Sequence, residues 1–137
     1  MPQGTGPAAR WIEAPMDCRI ELIFVPVSDT DRARDFYVDQ VGFTLDHDVR
    51  VDDSTRFVQI TPPGSACSIA FGEGIHEGVP GTFDNIQVVV DSAEAARAEL
   101  VAAGVTASPI DVQPWGTFTT FHDPDGNRWT VQELPPR

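Results

Sequence analysis

One pattern of elements is written twice in this chain, and that repetition limits its fold more than composition does. An offset of 63 residues lays Val27-Ser28-Asp29 on Val90-Asp91-Ser92 and Ala33-Arg34 on Ala96-Arg97. An offset of 62 lays Pro63-Gly64 on Asp125-Gly126 and Cys67-Ser68-Ile69 on Trp129-Thr130-Val131, the difference being one residue lost at the helix end, beside Gly42 and Gly104. Each half reads as β-α-β-β-β. In the first, "RIELIFVPV" is a β-rich run, and Ala33, Phe36, Tyr37 and Val41 then follow helical spacing, with Ser28 or Asp29 as cap and Gly42 as stop. "FTLDHDVRV", "TRFVQIT" and "ACSIAFG" are three further strands, separated by turn residues.

In the second half, "DNIQVVV" is the strand and Asp91 with Glu94 has capping-box spacing before a helix that Gly104 ends. "TASPI", "TFTTFHD" and "NRWTVQEL" complete the order. A half of about 55 residues buries too little apolar surface to stand alone. The halves are therefore expected to share one curved, half-barrel sheet with helices on its outside, an α+β fold whose concave face is free to hold a small molecule. The expected organisation is a tail over 1–18 and a single domain over 19–134, with repeats at about 20–75 and 84–134.

Charge narrows the partners. Twenty-one acidic residues against nine basic ones give a net charge of −12, a field that repels phosphate backbones and anionic lipid and favours neutral or cationic guests. All nine basic residues are arginine, so neither a Schiff-base lysine nor a P-loop lysine is present. No apolar run approaches the length of a membrane span, and the first 18 residues carry no apolar signal core, so the cytoplasm is the expected location. Cys18 and Cys67 show no metal or redox spacing and read as reduced thiols.

The pair of β-α-β-β-β units, with "VSDTDRARDFYVDQVGF" early and "FHDPDGNRWTVQEL" at the end, resembles the vicinal oxygen chelate superfamily of glyoxalase I, bleomycin resistance proteins and extradiol dioxygenases. The likeness runs from about Ile20 to Leu134 and is most specific in "FYVDQVGF" and "DPDGN". It implies a homodimer. It also implies a divalent metal on His, Glu or Gln side chains of the first and last strands of each repeat, but those positions fall here on Leu22, Ser68, Asn85 and Thr130. Leucine cannot ligate, and the other three are weak neutral ligands for metals that prefer imidazole, carboxylate or thiolate. No cofactor is expected.

Strand alternation sorts the remaining candidates. Phe24, Pro26, Ala66, Ser68, Ala70, Asn85, Gln87, Val89, Arg128, Thr130 and Gln132 share the parity of the cavity face. Their neighbours, from Ile23 to Val131, are apolar and belong against the helices. Phe24, Ser68, Asn85, Gln87, Arg128, Thr130 and Gln132 are thus expected ligand-binding residues, in a cavity without carboxylate or histidine. Trp115, between Pro114 and Gly116, is read either as an aromatic wall for the ligand or as a plug over the barrel end. His122 is the one candidate for acid/base chemistry, against a rim histidine bonded to turn carbonyls. His47 reads as a solvated strand residue, His76 as an exposed loop residue, Phe36 and Tyr37 as core, and Asp123 and Asp125 as turn carboxylates served by local backbone donors. The functional expectation is a metal-free binder of a small cationic or aromatic molecule, the alternative being a metal-dependent lyase, isomerase or dioxygenase of the same superfamily.

Overall fold

In a computed structural model the residues 16–136 are described. The tail beyond Met16, including Trp11, lies outside them. The first module runs β1 (Leu22–Phe24), α1 (Thr30–Asp35) continuing as a π-helical turn (Phe36–Gln40), then β2 (Thr44–Asp52), β3 (Thr55–Thr61) and β4 (Ser68–Glu73). The second runs β5 (Ile86–Val90), α2 (Ala93–Ala102), β6 (Asp111–Gln113), β7 (Gly116–His122) and β8 (Arg128–Glu133). In each module the first strand pairs parallel to the last and the other neighbours are antiparallel, giving the orders β1-β4-β3-β2 and β5-β8-β7-β6.

The α+β fold with two β-α-β-β-β modules is thus as expected, but the sheet is not one ladder. Two four-stranded sheets stand side by side, with β1 and β5 each an edge. What joins them is a common core on the helix side. Phe36 and Tyr37 of the first module pack on Phe121 and Trp129 of the second, with ring centroids 6.2 Å apart for Phe36 and Phe121 and 5.6 Å for Tyr37 and Trp129. Val58, Ile60, Phe71 and Trp129 are fully enclosed. Alternation explains this, since each lies on the strand face opposite the hydrophilic row.

Four local expectations change. Asp29 caps α1 by accepting from the Arg32 amide, but at α2 the cap is Ser92, not Asp91: its extended backbone points its hydroxyl at the Ala95 amide. "TASPI" is no strand, because Ser108 turns back to bond Thr120 through its amide, and the strand forms later at Asp111–Gln113. β1 is shorter than its β-rich run, as Pro26 offers no amide to a ladder. The repeat also drifts further than the sequence offset allows. Ile23 pairs with Ile69 while Ile86 pairs with Trp129, so the first and last strands are slid on one another by two residues more in one module than in the other. Parity survives, because the slide is two residues.

The "HDPDGN" turn fastens the modules together. Asp123, 4% exposed, accepts from the amides of Asp125 and Asn127, from Asn127 Nδ2 at 2.8 Å and from the Tyr37 hydroxyl at 2.7 Å. Trp129 Nε1 donates to the same hydroxyl at 3.0 Å, and Asn127 also donates to the Pro26 carbonyl at 2.9 Å. Asp123 therefore has the local donors expected of it, whereas Asp125 does not. Asp125 accepts from the amide and hydroxyl of Ser28, 97 residues away, and sits 3.6 Å from Arg32.

Burial, then the neighbouring charge of Asp123, pushes the Tyr37 phenol well above its ordinary value. A raised phenol contributes stability that is complete below the unfolded-state value and is lost as pH rises toward the folded one. Tyr37 is the chain's single tyrosine. Phenolate absorbance during alkaline titration should therefore stay flat until the protein unfolds; a reversible titration near pH 10 in the folded state would show that the network is open. Asp123→Ala, which strands several buried donors, should cost about 2 to 4 kcal/mol in urea unfolding.

A second network anchors the exposed strand β2. Asp48 accepts from Arg56 Nε at 3.0 Å and from Arg34 Nη1 at 2.9 Å, and Arg56 also reaches Asp31 at 2.8 Å. These hydrogen bonds, Arg56 first, outweigh burial and lower the Asp48 carboxyl to about 2. Its stabilisation is present above the ordinary carboxylate range and is lost as pH falls through the folded value. Asp48→Asn should be less stable than the parent at neutral pH and converge with it as pH falls from 4 to 2; an offset between the two that does not change with pH would contradict this.

Candidate functional site

The hydrophilic face of the second sheet forms a concave cavity of about 670 Å³. Register places its residues in rows. Asp111 faces Phe118, which faces Gln132; Thr120 faces Thr130; and His122 faces Arg128. Asn85, Gln87 and Pro109 line it too, and the loop before β7 holds Trp115 at the mouth. The other large hollow, about 520 Å³ between α2 and the end of the π-helical turn, is lined by core residues such as Leu100, Phe121 and Val131. Its Gln40 amide is already bonded to the Ala103 carbonyl. That hollow is a seam of the core, whereas the concave cavity has convergent polar groups.

A chain of side-chain hydrogen bonds runs along the cavity floor. Thr130 donates to Asn85 at 2.5 Å, Asn85 to Gln87 at 3.1 Å, Gln87 to Gln132 at 2.7 Å, and Gln132 to the Trp115 carbonyl at 3.3 Å. The amides thus hold one another and the Trp115 loop in place. Gly116 lets the loop approach: a Cβ there would meet Gln132 Nε2 and the Glu133 carbonyl, each at 2.9 Å. Trp115 itself is 64% exposed, so it is not covered as a plug over the barrel end would be.

Asn85, Gln87, Trp115, Arg128 and Thr130 line the cavity, and Gln132 joins them through its bonds. Phe24 and Ser68 do not. They lie on the corresponding face of the first module, where Phe24 packs edge-on against Phe57 and the buried Ser68 bonds Gln59 and Thr61. His47 is on that face, opposite Gln59, and exposed. His122 is exposed at the cavity rim. Pro26 is buried, unlike its expected place toward the cavity. Both ring nitrogens of His76 are buried without a hydrogen-bond partner, in contrast to the exposed loop histidine expected.

Phe118, Thr120 and Asp111 are cavity residues that sequence reasoning missed. The alternation of "TFTTFHD" could have found the first two. Asp111 was hidden because the strand was placed five residues early, and it puts a carboxylate where none was expected.

The positions that would hold a metal do not suit one. Leu22 pairs with Ser68 in one module, Ser68 is committed to two side chains, and the Thr130 hydroxyl is spent on Asn85. Among the described residues no three His, Cys, Asp or Glu side chains converge. Glu133 faces the helix side and accepts from the Ala93 amide at the start of α2. Neutral, mutually bonded oxygens do not displace the water of a divalent ion. Protein dialysed against buffer should retain no stoichiometric Zn, Ni, Fe or Mn by elemental analysis; close to one ion per chain would contradict the reading of these positions.

The profile described as Glyoxalase/Bleomycin resistance protein/Dioxygenase superfamily matches residues 19–131. Among solved structures, TnmS3, an antibiotic binding protein from Streptomyces sp. CB03234, is 32% identical with a TM-score of 0.79, over 88% of this chain and 100% of that one. A member of the same superfamily from Sphaerobacter thermophilus is 33% identical with a TM-score of 0.75, over 85% and 97%. YetH of Bacillus subtilis is 23% identical over 118 residues, 84% of this chain and 98% of its own.

Proposed function

We propose that this chain, which belongs to the glyoxalase/bleomycin resistance protein/dioxygenase superfamily, is a metal-free binder that sequesters a small aromatic or cationic molecule in the concave cavity of its second module. The exposed tryptophan carries the reading. A ring left 64% exposed at the mouth of a 670 Å³ cavity, its loop tied down by an amide chain, is an apolar surface held in place without being used for folding. TnmS3 is an antibiotic binding protein by name, which supports the same class of activity here. His122 has no bonded partner among the described residues to orient it as a base, so the geometry favours binding over catalysis.

A second copy completes the proposal. Among the described residues β1 and β5 are sheet edges, and Phe24, 41% exposed, packs edge-on against Phe57 on the face of the first module that corresponds to the cavity face of the second. Apposition of one chain's first module to its partner's second would enclose the ligand and bring Phe24 and Ser68 to it. Native mass should report a homodimer.

Thermal-shift screening of cationic and aromatic compounds supplies ligands, and calorimetric titration tests the site. Trp115→Ala should weaken a hit about tenfold or more with little change in melting temperature, because a large aromatic face contributes about 1.5 to 3 kcal/mol. Gln132→Ala should cost less, about 0.5 to 1.5 kcal/mol through lost bonds. Loss of stability with unchanged affinity in Trp115→Ala would place the binding wall elsewhere.

A further inference from the structure

Arginines elsewhere in the described residues are all committed. Arg19, Arg32, Arg34, Arg50 and Arg56 each pair with a carboxylate, and Arg97 donates to the Ser108 carbonyl at 2.7 Å. Arg128 is the exception: among the described residues its guanidinium has neither an ion pair nor a hydrogen bond, and it lines the concave cavity. In a chain with a net charge of −12, carboxylates to pair with it are plentiful. At the other end of the cavity Asp111 has no cation among the described residues, where its side chain accepts a single bond, from Gln113 Nε2 at 2.9 Å.

The ladder fixes how far apart these charges stand. Asp111 is opposite Phe118 and Phe118 opposite Gln132, so Asp111 lies two strands from β8, in the row of a residue four positions beyond Arg128. At about 3.3 Å per residue and 4.8 Å per strand the two Cα atoms are about 16 Å apart, which leaves on the order of 10 Å between charged ends turned inward. Phe118, Thr120 and Thr130 floor the space between, and Trp115, in the turn between β6 and β7, lines the cavity from the Asp111 end.

Resting on the binding function proposed above, we infer that the cavity is polarised end to end and selects an extended planar molecule with a cationic amine at the Asp111 end and a carboxylate or comparable anionic group at the Arg128 end. A planar guanidinium suits a carboxylate, to which it donates two parallel hydrogen bonds. The acidic surface by itself would favour a plain cation; Arg128 is what makes a second, opposite charge favourable.

Three probes on one ring system test this by calorimetry: 6-(aminomethyl)-2-naphthoic acid, whose charges are about 10 Å apart on standard bond lengths, 2-naphthoate and naphthalen-2-ylmethylamine. The bifunctional probe should bind at least tenfold tighter than either relative. Asp111→Asn should bring its affinity down to that of 2-naphthoate without altering 2-naphthoate binding. Arg128→Gln should do the converse with the amine. Both changes are at exposed positions, and unchanged melting confirms folding. A bifunctional probe no tighter than its relatives, or charge variants that weaken all three probes alike, overturns the inference. So does failure of all three while an uncharged planar compound still binds in a Trp115-dependent way, which leaves the binding function standing. If nothing binds in a Trp115-dependent way, both fall.

Discussion

A buried carboxylate holds this protein together. Asp123 is removed from water, and an ionised carboxylate there survives only if its oxygens are saturated with donors. It has four: two local amides, the Asn127 amide group and the Tyr37 hydroxyl, the last from the other module. Because the two sheets share no ladder, this network and the aromatic cluster around it are what set one module against the other. The turn that opens β8 thus sets where Arg128, Thr130 and Gln132 stand.

The two faces of the second sheet divide core from cavity. Phe121, Trp129 and Val131 point into the core, and their neighbours Phe118, Thr120 and Thr130 point into the cavity. Changing one row need not disturb the other. The cavity row is also internally satisfied: the Thr130-Asn85-Gln87-Gln132 chain leaves few groups seeking partners, so the uncommitted ones, Arg128, Asp111 and the Trp115 ring, stand out. A surface of this kind suits the binding function proposed for it. Chemistry on a metal would need the charged donors that Leu22, Ser68, Asn85 and Thr130 do not provide.

Much of this was legible in the sequence, for definite reasons. The alternation of "DNIQVVV" and "NRWTVQEL" assigned faces correctly because a strand's period of two is unchanged by a slide of two residues, which is the difference in register between the two modules. Short-range signals failed where a competing partner lay far away in the chain. Asp125 looked like a turn carboxylate, but Ser28 claims it; Asp91 looked like the cap, but Ser92 has the geometry, and Glu133 from β8 takes the next free amide. Phe24 and Ser68 were assigned to the cavity by parity alone, which says which face a residue is on and not which module's face.

The central claim is that the hydrophilic face of the second sheet receives the ligand while the opposite face only folds. Indole N–H resonances of 15N-labelled protein test it most directly, because Trp115 stands at the cavity mouth and Trp129 is buried on the other face, bonded to Tyr37. Titration with a thermal-shift hit should move the Trp115 signal saturably and leave Trp129 where it is. Movement of Trp129 with Trp115 unmoved would put the ligand on the helix side and contradict the account.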